Sequence, residues 1–201
     1  MAAGAFAPNF HEGSRSEYLA QYVFSMFGSS APVLHQEDYG IDLYCTLTER
    51  KGQRAWPIAY YSVQVKSNED PWEFTEPESV QWVVEYPAPL LLCVIDKTAA
   101  RVRVYQTLAR FGAAVAQELP DRMALVPGQP GNSRTFSPAT DGNFPMGAPI
   151  LQFNVWDLLD DEKFELFCAV LRFWVLADQH NVRLHQMVHI VSRYAGGVHH
   201  E

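Results

Sequence analysis

Two strand-like segments with regularly alternating side chains place the strongest constraint on the fold of this chain. The first covers residues 41–48 and the second covers residues 57–67. Alternate side chains of a strand point to opposite faces, so Gln64 and Lys66 are predicted to share one face, while the valines between them and before them enter a core. Asp42 is predicted to lie on the polar side of the first segment. The apolar side of that segment is expected to consist of Ile41, Leu43, Cys45 and Leu47.

The polar side of these two segments combines a carboxylate, an amide and an ammonium group. If the segments are neighbours in one sheet, Asp42, Gln64 and Lys66 converge on one sheet face. These are the groups needed to hold a divalent cation and a phosphodiester. The alternative interpretation is structural: Asp42 caps a turn, and the other two are solvated strand residues.

Three short motifs in this order resemble those of the PD-(D/E)XK nuclease superfamily, and in particular the DUF4365-type domain of prokaryotic, often defence-associated, proteins. They are Glu17 in a first helix, Gly-Ile-Asp at 40–42 and Gln-Val-Lys-Ser at 64–67. The resemblance runs from about residue 11 to about residue 108, roughly half of the chain. It includes Trp72 and a strand at 89–94 that leads to Val104 and Tyr105.

The resemblance implies a restriction-endonuclease-like α/β fold, with a mixed sheet flanked by helices. It implies that Glu17, Asp42, Gln64 and Lys66 are catalytic. Mg²⁺ or Mn²⁺ would be held by Asp42, by the side-chain oxygen of Gln64 and by the backbone carbonyl of Val65. Lys66 would contact the attacking water or the phosphate, and Glu17 would approach the metal from the helix. The expected substrate is DNA, and the expected setting is antiviral defence.

Gln64 departs from the acidic residue that is common at this position of the motif. Glutamine removes one negative charge and should weaken metal binding. Two functions therefore stay open: a metal-dependent nuclease, and an inactive nuclease-fold module. The module would bind a protein partner, form a homo-oligomer or act as a subunit of a larger assembly, using the aromatic-rich helices that follow Asp157.

Composition adds limits on partners and location. The 201-residue chain is 48% hydrophobic, which suffices for a core, and its net charge is −8, with 15 Lys and Arg against 23 Asp and Glu. Nucleic-acid-binding proteins usually have a basic face, so DNA binding by this chain alone should be weak. The densest basic group is expected to be Arg50, Lys51, Arg54 and Lys66, the first three of them at a hairpin tip. No apolar run approaches the roughly 20 residues that cross a membrane, and the first ten residues lack a secretory pattern. We therefore expect a cytoplasmic protein.

The chain divides into three parts. Residues 1–126 are predicted to form the nuclease-like core, residues 127–149 a Pro/Gly-rich loop or linker, and residues 150–201 a strand and helices that pack on the core. The last part is expected to contain a helical pair, at 157–177 and about 182–194, with a break at Asn181.

Several local features carry alternatives. Ser14 and Glu17 have capping-box spacing, so Glu17 has two possible roles, helix capping and catalysis. Residues 49–56 are expected to form a hairpin loop, and residues 68–80 a further loop. The aromatic residues Trp72, Trp82 and Tyr86 could stack on bases or pack in the core.

Two residue types are predicted to be structural. His185 and His189 have helical spacing that can bind zinc, but they lack an obvious third ligand, so a solvated or packed face is expected. The three cysteines are predicted to be small buried hydrophobes.

Overall fold

The computed structural model describes residues 10–33, 40–115, 119–128, 142–188 and 198–199. The chain folds into a large and a small sheet with helices on both faces of the large one, so the predicted α/β class is confirmed. The helices are α1 (Phe10–Phe27), α2 (Pro77–Val84), α3 (Leu108–Val115) and α4 (Asp161–Val188). The strands are β1 (Gly28–Pro32), β2 (Leu43–Lys51), β3 (Arg54–Lys66), β4 (Trp72–Phe74), β5 (Leu90–Asp96), β6 (Arg101–Gln106), β7 (Met123–Val126), β8 (Asn143–Pro145), β9 (Leu151–Asn154) and β10 (Val198–His199).

The large sheet has the order β1-β2-β3-β5-β6-β9-β10. Strands β3 and β5 are parallel, as are β9 and β10, and the other neighbours are antiparallel. The small sheet has the order β4-β7-β8. Because β3 and β5 are parallel, the chain must cross over between them, and α2 lies in that crossover.

Alternation along the central strands creates two hydrophobic cores, one on each face of the large sheet. On one face, Val63 and Val65 pack with α1 and α4. On the other face, Leu90 and Leu92 pack with α2, α3 and the small sheet. Strand β5 is buried on both faces, as expected for a parallel strand covered by helices on both sides. The predicted separation of Val63 and Val65 from Gln64 and Lys66 is therefore confirmed.

The C-terminal region differs from the prediction. The expected helical pair is wrong for the residues described: α4 runs without a break through Asn181 to Val188. Asn181 is fully buried and hydrogen-bonds the side chain of Asp178. Asparagine disfavours a helix interior by well under ~1 kcal/mol, which this buried polar contact offsets. Strand β9 confirms the expected strand at the start of this region and pairs with β6.

Five smaller expectations are corrected. Helix α1 begins at Phe10, a turn before the expected cap at Ser14, so Glu17 is not a first-turn capping residue. Ile41 packs in the core opposite to that of Leu43, because the strand begins only after Asp42. The loop expected at 68–80 contains β4 and the start of α2, and the loop expected at 49–56 is mostly strand. The described part of 127–149 includes β8.

Candidate functional site

Asp42 and Gln64 lie side by side where β2 begins. The β2–β3 register pairs Leu43 with Val63, and the backbone N–H of Asp42 donates a 3.0 Å hydrogen bond to the carbonyl of Val63. Continuing this register by one residue places Asp42 opposite Gln64. Glycine is favoured at position 40, just before Asp42, for two reasons. Its φ of 91° lies in the left-handed region, and an added Cβ would lie 3.3 Å from the ring of Trp82.

One oxygen of Asp42 is held by two hydrogen bonds from β3. Its Oδ2 accepts a 2.7 Å bond from Gln64 Nε2 and a 2.6 Å bond from the backbone N–H of Val65. Gln64 Nε2 also donates to the backbone carbonyl of Val65 at 3.3 Å. The amide nitrogen therefore lies between the two oxygens that the sequence resemblance assigns to a metal. The other amide atom, Gln64 Oε1, is buried and accepts no hydrogen bond from the residues that the structure describes.

Lys66 follows Gln64 on the same side of β3. Its ammonium donates a 2.8 Å hydrogen bond to the backbone carbonyl of Pro71. Partial burial lowers the pKa of Lys66, while the charges of Asp70 and Glu73 oppose that shift. The acceptor is a neutral carbonyl, so this hydrogen bond does not pair the ammonium with an anion.

Glu17 is a half-buried residue in the interior of α1. That helix packs through Ala20 and Phe24 on the sheet face opposite to the side chains of Asp42 and Gln64. Glu17 therefore does not cap the helix, and the catalytic role of Glu17 stays a prediction.

An aromatic wall borders the site on the side of α2. Trp82 packs against Gly40, and its ring centroid lies 5.4 Å from that of Tyr86. The hydroxyl of Tyr86 hydrogen-bonds Ser62 at 2.7 Å, on the same side of β3 as Gln64. Trp72 packs against Phe74 of β4, with 4.8 Å between ring centroids. All three predicted aromatic residues are half-buried. They pack against the core beneath α2 and keep partial access to solvent.

Among the residues that the structure describes, the other candidate ligands do not come together as a metal site. Within the described ranges, no three His, Cys, Asp or Glu side chains are grouped so as to hold a metal ion. His185 is buried on α4, and its possible zinc partner His189 lies outside the described residues. Cys45 and Cys93 are buried, and Cys168 is partly buried, in agreement with the structural prediction.

A buried polar cluster was missed by the sequence analysis. Asp178 of α4 is fully buried and accepts a hydrogen bond from Gln106 Nε2 at the end of β6. Burial raises the pKa of Asp178 to about 7, against the lowering effect of Gln106, Asn181 and Arg110. The available signal was its spacing: Asp178 follows Leu171 and Trp174 at positions that belong to the buried stripe of the helix.

A groove lies elsewhere in the molecule. It has a volume of about 900 Å³ and lies between α4, the end of α1 and the β2–β3 hairpin. The basic residues Arg50, Lys51 and Arg54 are exposed at that hairpin, where Lys51 pairs with Glu49 at 2.9 Å. The chemistry around Asp42 identifies the candidate site better than groove size does, because hard cations bind carboxylate and carbonyl oxygens.

Comparisons with known proteins add no assignment. The chain matches no protein-family model, no curated protein and no solved structure. No helix within the described residues is long and apolar enough to cross a membrane.

Proposed function

We propose that this chain is a metal-dependent nuclease that hydrolyses DNA phosphodiester bonds, with a role as a defence effector. The observation that carries the proposal is the convergence of Asp42, Gln64 and the carbonyl of Val65 on one point at the edge of the sheet. Lys66 follows on the same side of the same strand.

The donor set fits a hard divalent cation. Gln64 Oε1 is a buried oxygen without a hydrogen-bond donor among the described residues. Turning the terminal amide about its last side-chain bond exchanges Oε1 with Nε2, which would bring three oxygens together, from Asp42, Gln64 and Val65. Mg²⁺ and Mn²⁺ favour oxygen ligands of this kind. When bound, such an ion stabilises the charge of the scissile phosphate and activates water.

Lys66 supplies charge stabilisation from the protein itself. Its ammonium can exchange the neutral carbonyl of Pro71 for a phosphate oxygen, since a hydrogen bond between two oppositely charged groups is stronger than one to a neutral acceptor. The burial that lowers its pKa also strengthens its attraction to developing negative charge.

Replacing Lys66 with alanine tests this role. We expect Mg²⁺- or Mn²⁺-dependent cleavage of plasmid DNA by K66A to be about 100-fold slower or more, because removal of one preorganised charge at a transition state has an effect of that order. Metal affinity, measured by calorimetric titration, should be unchanged. The control is Lys51→Ala, an exposed lysine at the hairpin. If wild type and K66A cut at equal rates, the assignment is rejected.

A second candidate function is a nuclease-fold module without catalytic activity, which binds a protein partner or a second copy of the chain. The hydrogen bonds of Gln64 favour it, because Nε2 satisfies both Asp42 and the carbonyl of Val65 without a cation. The net charge of −8 also disfavours a protein that binds DNA by itself.

Gln64→Glu separates the two functions. A second carboxylate facing Asp42 adds charge to the metal site and repulsion to the metal-free protein. For the nuclease, we expect Q64E to bind Mn²⁺ at least about 10-fold more tightly than wild type and to melt at a lower temperature without metal. Gln53→Glu, in the β2–β3 turn, is the matched control. If Q64E binds Mn²⁺ but wild type does not bind it at millimolar concentration, the chain is the inactive nuclease-fold module.

A further inference from the structure

The sheet face that contains Asp42 and Gln64 is only half covered. Over β5 and β6, Leu90, Leu92 and Tyr105 are buried beneath α2 and α3. Over β1, β2 and the middle of β3 the same face is exposed at Ser29, Ala31, Tyr44 and Tyr60, while Ser62 is buried. The side chains of Tyr44 and Tyr60 are 54% and 63% exposed. We name this open area the tyrosine platform and define it by Ser29, Ala31, Tyr44, Thr46 and Tyr60.

The two tyrosines are neighbours across the β2–β3 ladder. Tyr44 pairs with Ser62, and Thr46 pairs with Tyr60, so the tyrosines occupy diagonal positions. Diagonal residues of an antiparallel pair lie about 7–8 Å apart, within reach of aromatic side chains. The β1 residues on this side are Ala31, opposite Tyr44, and Ser29, opposite Thr46. These small residues leave the tyrosine rings accessible from the side of β1.

The platform leads directly to the candidate site. Along one side of β3 the chain presents Tyr60, Ser62, Gln64 and Lys66, with about 6.7 Å between successive members. Exposed rings, the Asp42–Gln64 pair and an ammonium therefore follow one another over about 20 Å. On the side of α2, the hydroxyl of Tyr86 hydrogen-bonds Ser62 and borders this row of side chains.

The charge of the platform distinguishes it from the rest of the protein. Its five residues are uncharged, whereas the chain as a whole has a net charge of −8. The platform residues therefore add no charge that repels a polyanion, and Lys66 adds an attractive charge at one end. Aromatic side chains bind unpaired bases by stacking, while the faces of bases in a duplex are already covered by their neighbours.

We infer that the tyrosine platform binds single-stranded nucleic acid and guides it to Asp42, with bases stacked on Tyr44 and Tyr60. The inference rests on the proposed nuclease function and specifies its substrate as an unpaired strand. DNA and RNA share the stacking and phosphate chemistry on which the inference depends. A protein partner could also cover exposed tyrosines, and the experiment below includes that outcome.

The test measures binding without cleavage. Fluorescence anisotropy in EDTA compares labelled oligothymidylate, oligouridylate and a DNA duplex, at low salt. Wild type is expected to bind at least one single strand about 10-fold more tightly than the duplex, and Tyr44→Ala and Tyr60→Ala should each weaken that binding by about 5- to 100-fold. Tyr44→Phe, which keeps the ring, should bind within about two-fold of wild type. The control is Tyr18→Ala, at a tyrosine on α1 that is 71% exposed.

Three binding results overturn the inference. The first is equal binding of duplex and single strand, and the second is binding that Tyr44→Ala and Tyr60→Ala leave unchanged. The third is the absence of oligonucleotide binding, whether or not sedimentation shows self-association that these substitutions abolish. Failure of the nuclease proposal is distinguishable: tyrosine-dependent binding without metal-dependent cleavage keeps the platform and rejects the enzyme. Cleavage that does not depend on either tyrosine rejects the platform and keeps the enzyme.

Discussion

Asp42→Ala is expected to abolish metal-dependent DNA cleavage, with a loss of more than about 100-fold. Asp42 is the carboxylate of the oxygen cluster, and Gln64 and Val65 contribute only neutral oxygens. Without it the site has no formal negative charge to attract a cation. Mn²⁺ binding in calorimetric titration should be lost together with cleavage, which distinguishes D42A from K66A.

The stability of the variant must be measured alongside its activity. Oδ2 of Asp42 accepts hydrogen bonds from Gln64 and from the backbone of Val65, and removing a buried acceptor costs about 1–3 kcal/mol. Asp42→Asn is the closer variant, since it keeps an oxygen acceptor but loses the charge. We expect D42N to melt near the wild-type temperature and still to lack cleavage. Asp121→Ala, at an exposed position, is the control. Full activity in D42N would show that the charge of Asp42 is not used.

The alternation of β3 explains why this part of the site was predictable. The two-residue period of a strand separates Gln64 and Lys66 from Val63 and Val65 whatever the rest of the fold does. Pairing with Asp42 also followed, because two strands joined by a short hairpin must be neighbours. The orientation of the Gln64 amide did not follow, since it depends on hydrogen bonds to Asp42 and Val65 that only the folded register creates.

The errors have a common physical origin in contacts between distant parts of the chain. Strand β4 is only three residues long, too short for a two-residue period to be recognised, and it is stabilised by pairing with β7, about fifty residues later. The break expected at Asn181 fails for a similar reason. Asn181 bonds Asp178, which in turn is bonded by Gln106 from β6. A residue that ends helices in isolation is tolerated where tertiary partners satisfy its side chain.

Asp178 leads to the second large prediction, a pH-dependent stability. Burial raises the pKa of Asp178 to about 7 in the folded protein, whereas an unfolded aspartate titrates near 3.9. Between these values the folded state binds a proton that the unfolded state has released, so the free energy of unfolding falls as pH rises. The stabilising contribution of protonated Asp178 is full below the unfolded pKa and is lost as pH passes through about 7. From about pH 5 to about pH 8 the expected loss is roughly 2–3 kcal/mol.

Asp178→Asn isolates this contribution, because asparagine has nearly the same shape, keeps an oxygen to accept the hydrogen bond from Gln106 and does not titrate. Urea unfolding at several pH values should give a free energy of unfolding that varies less with pH for D178N than for wild type, with Asp121→Asn retaining the wild-type slope.

Arg110 is the nearby charge that opposes this expectation, because it attracts ionised Asp178 and this attraction is lost in the variant. Burial also lowers the pKa of Arg110, so the guanidinium itself pays a desolvation cost in the same cluster. If that attraction outweighed the desolvation of Asp178, wild type would gain stability with rising pH relative to D178N, and a slope of that sign would refute the assignment.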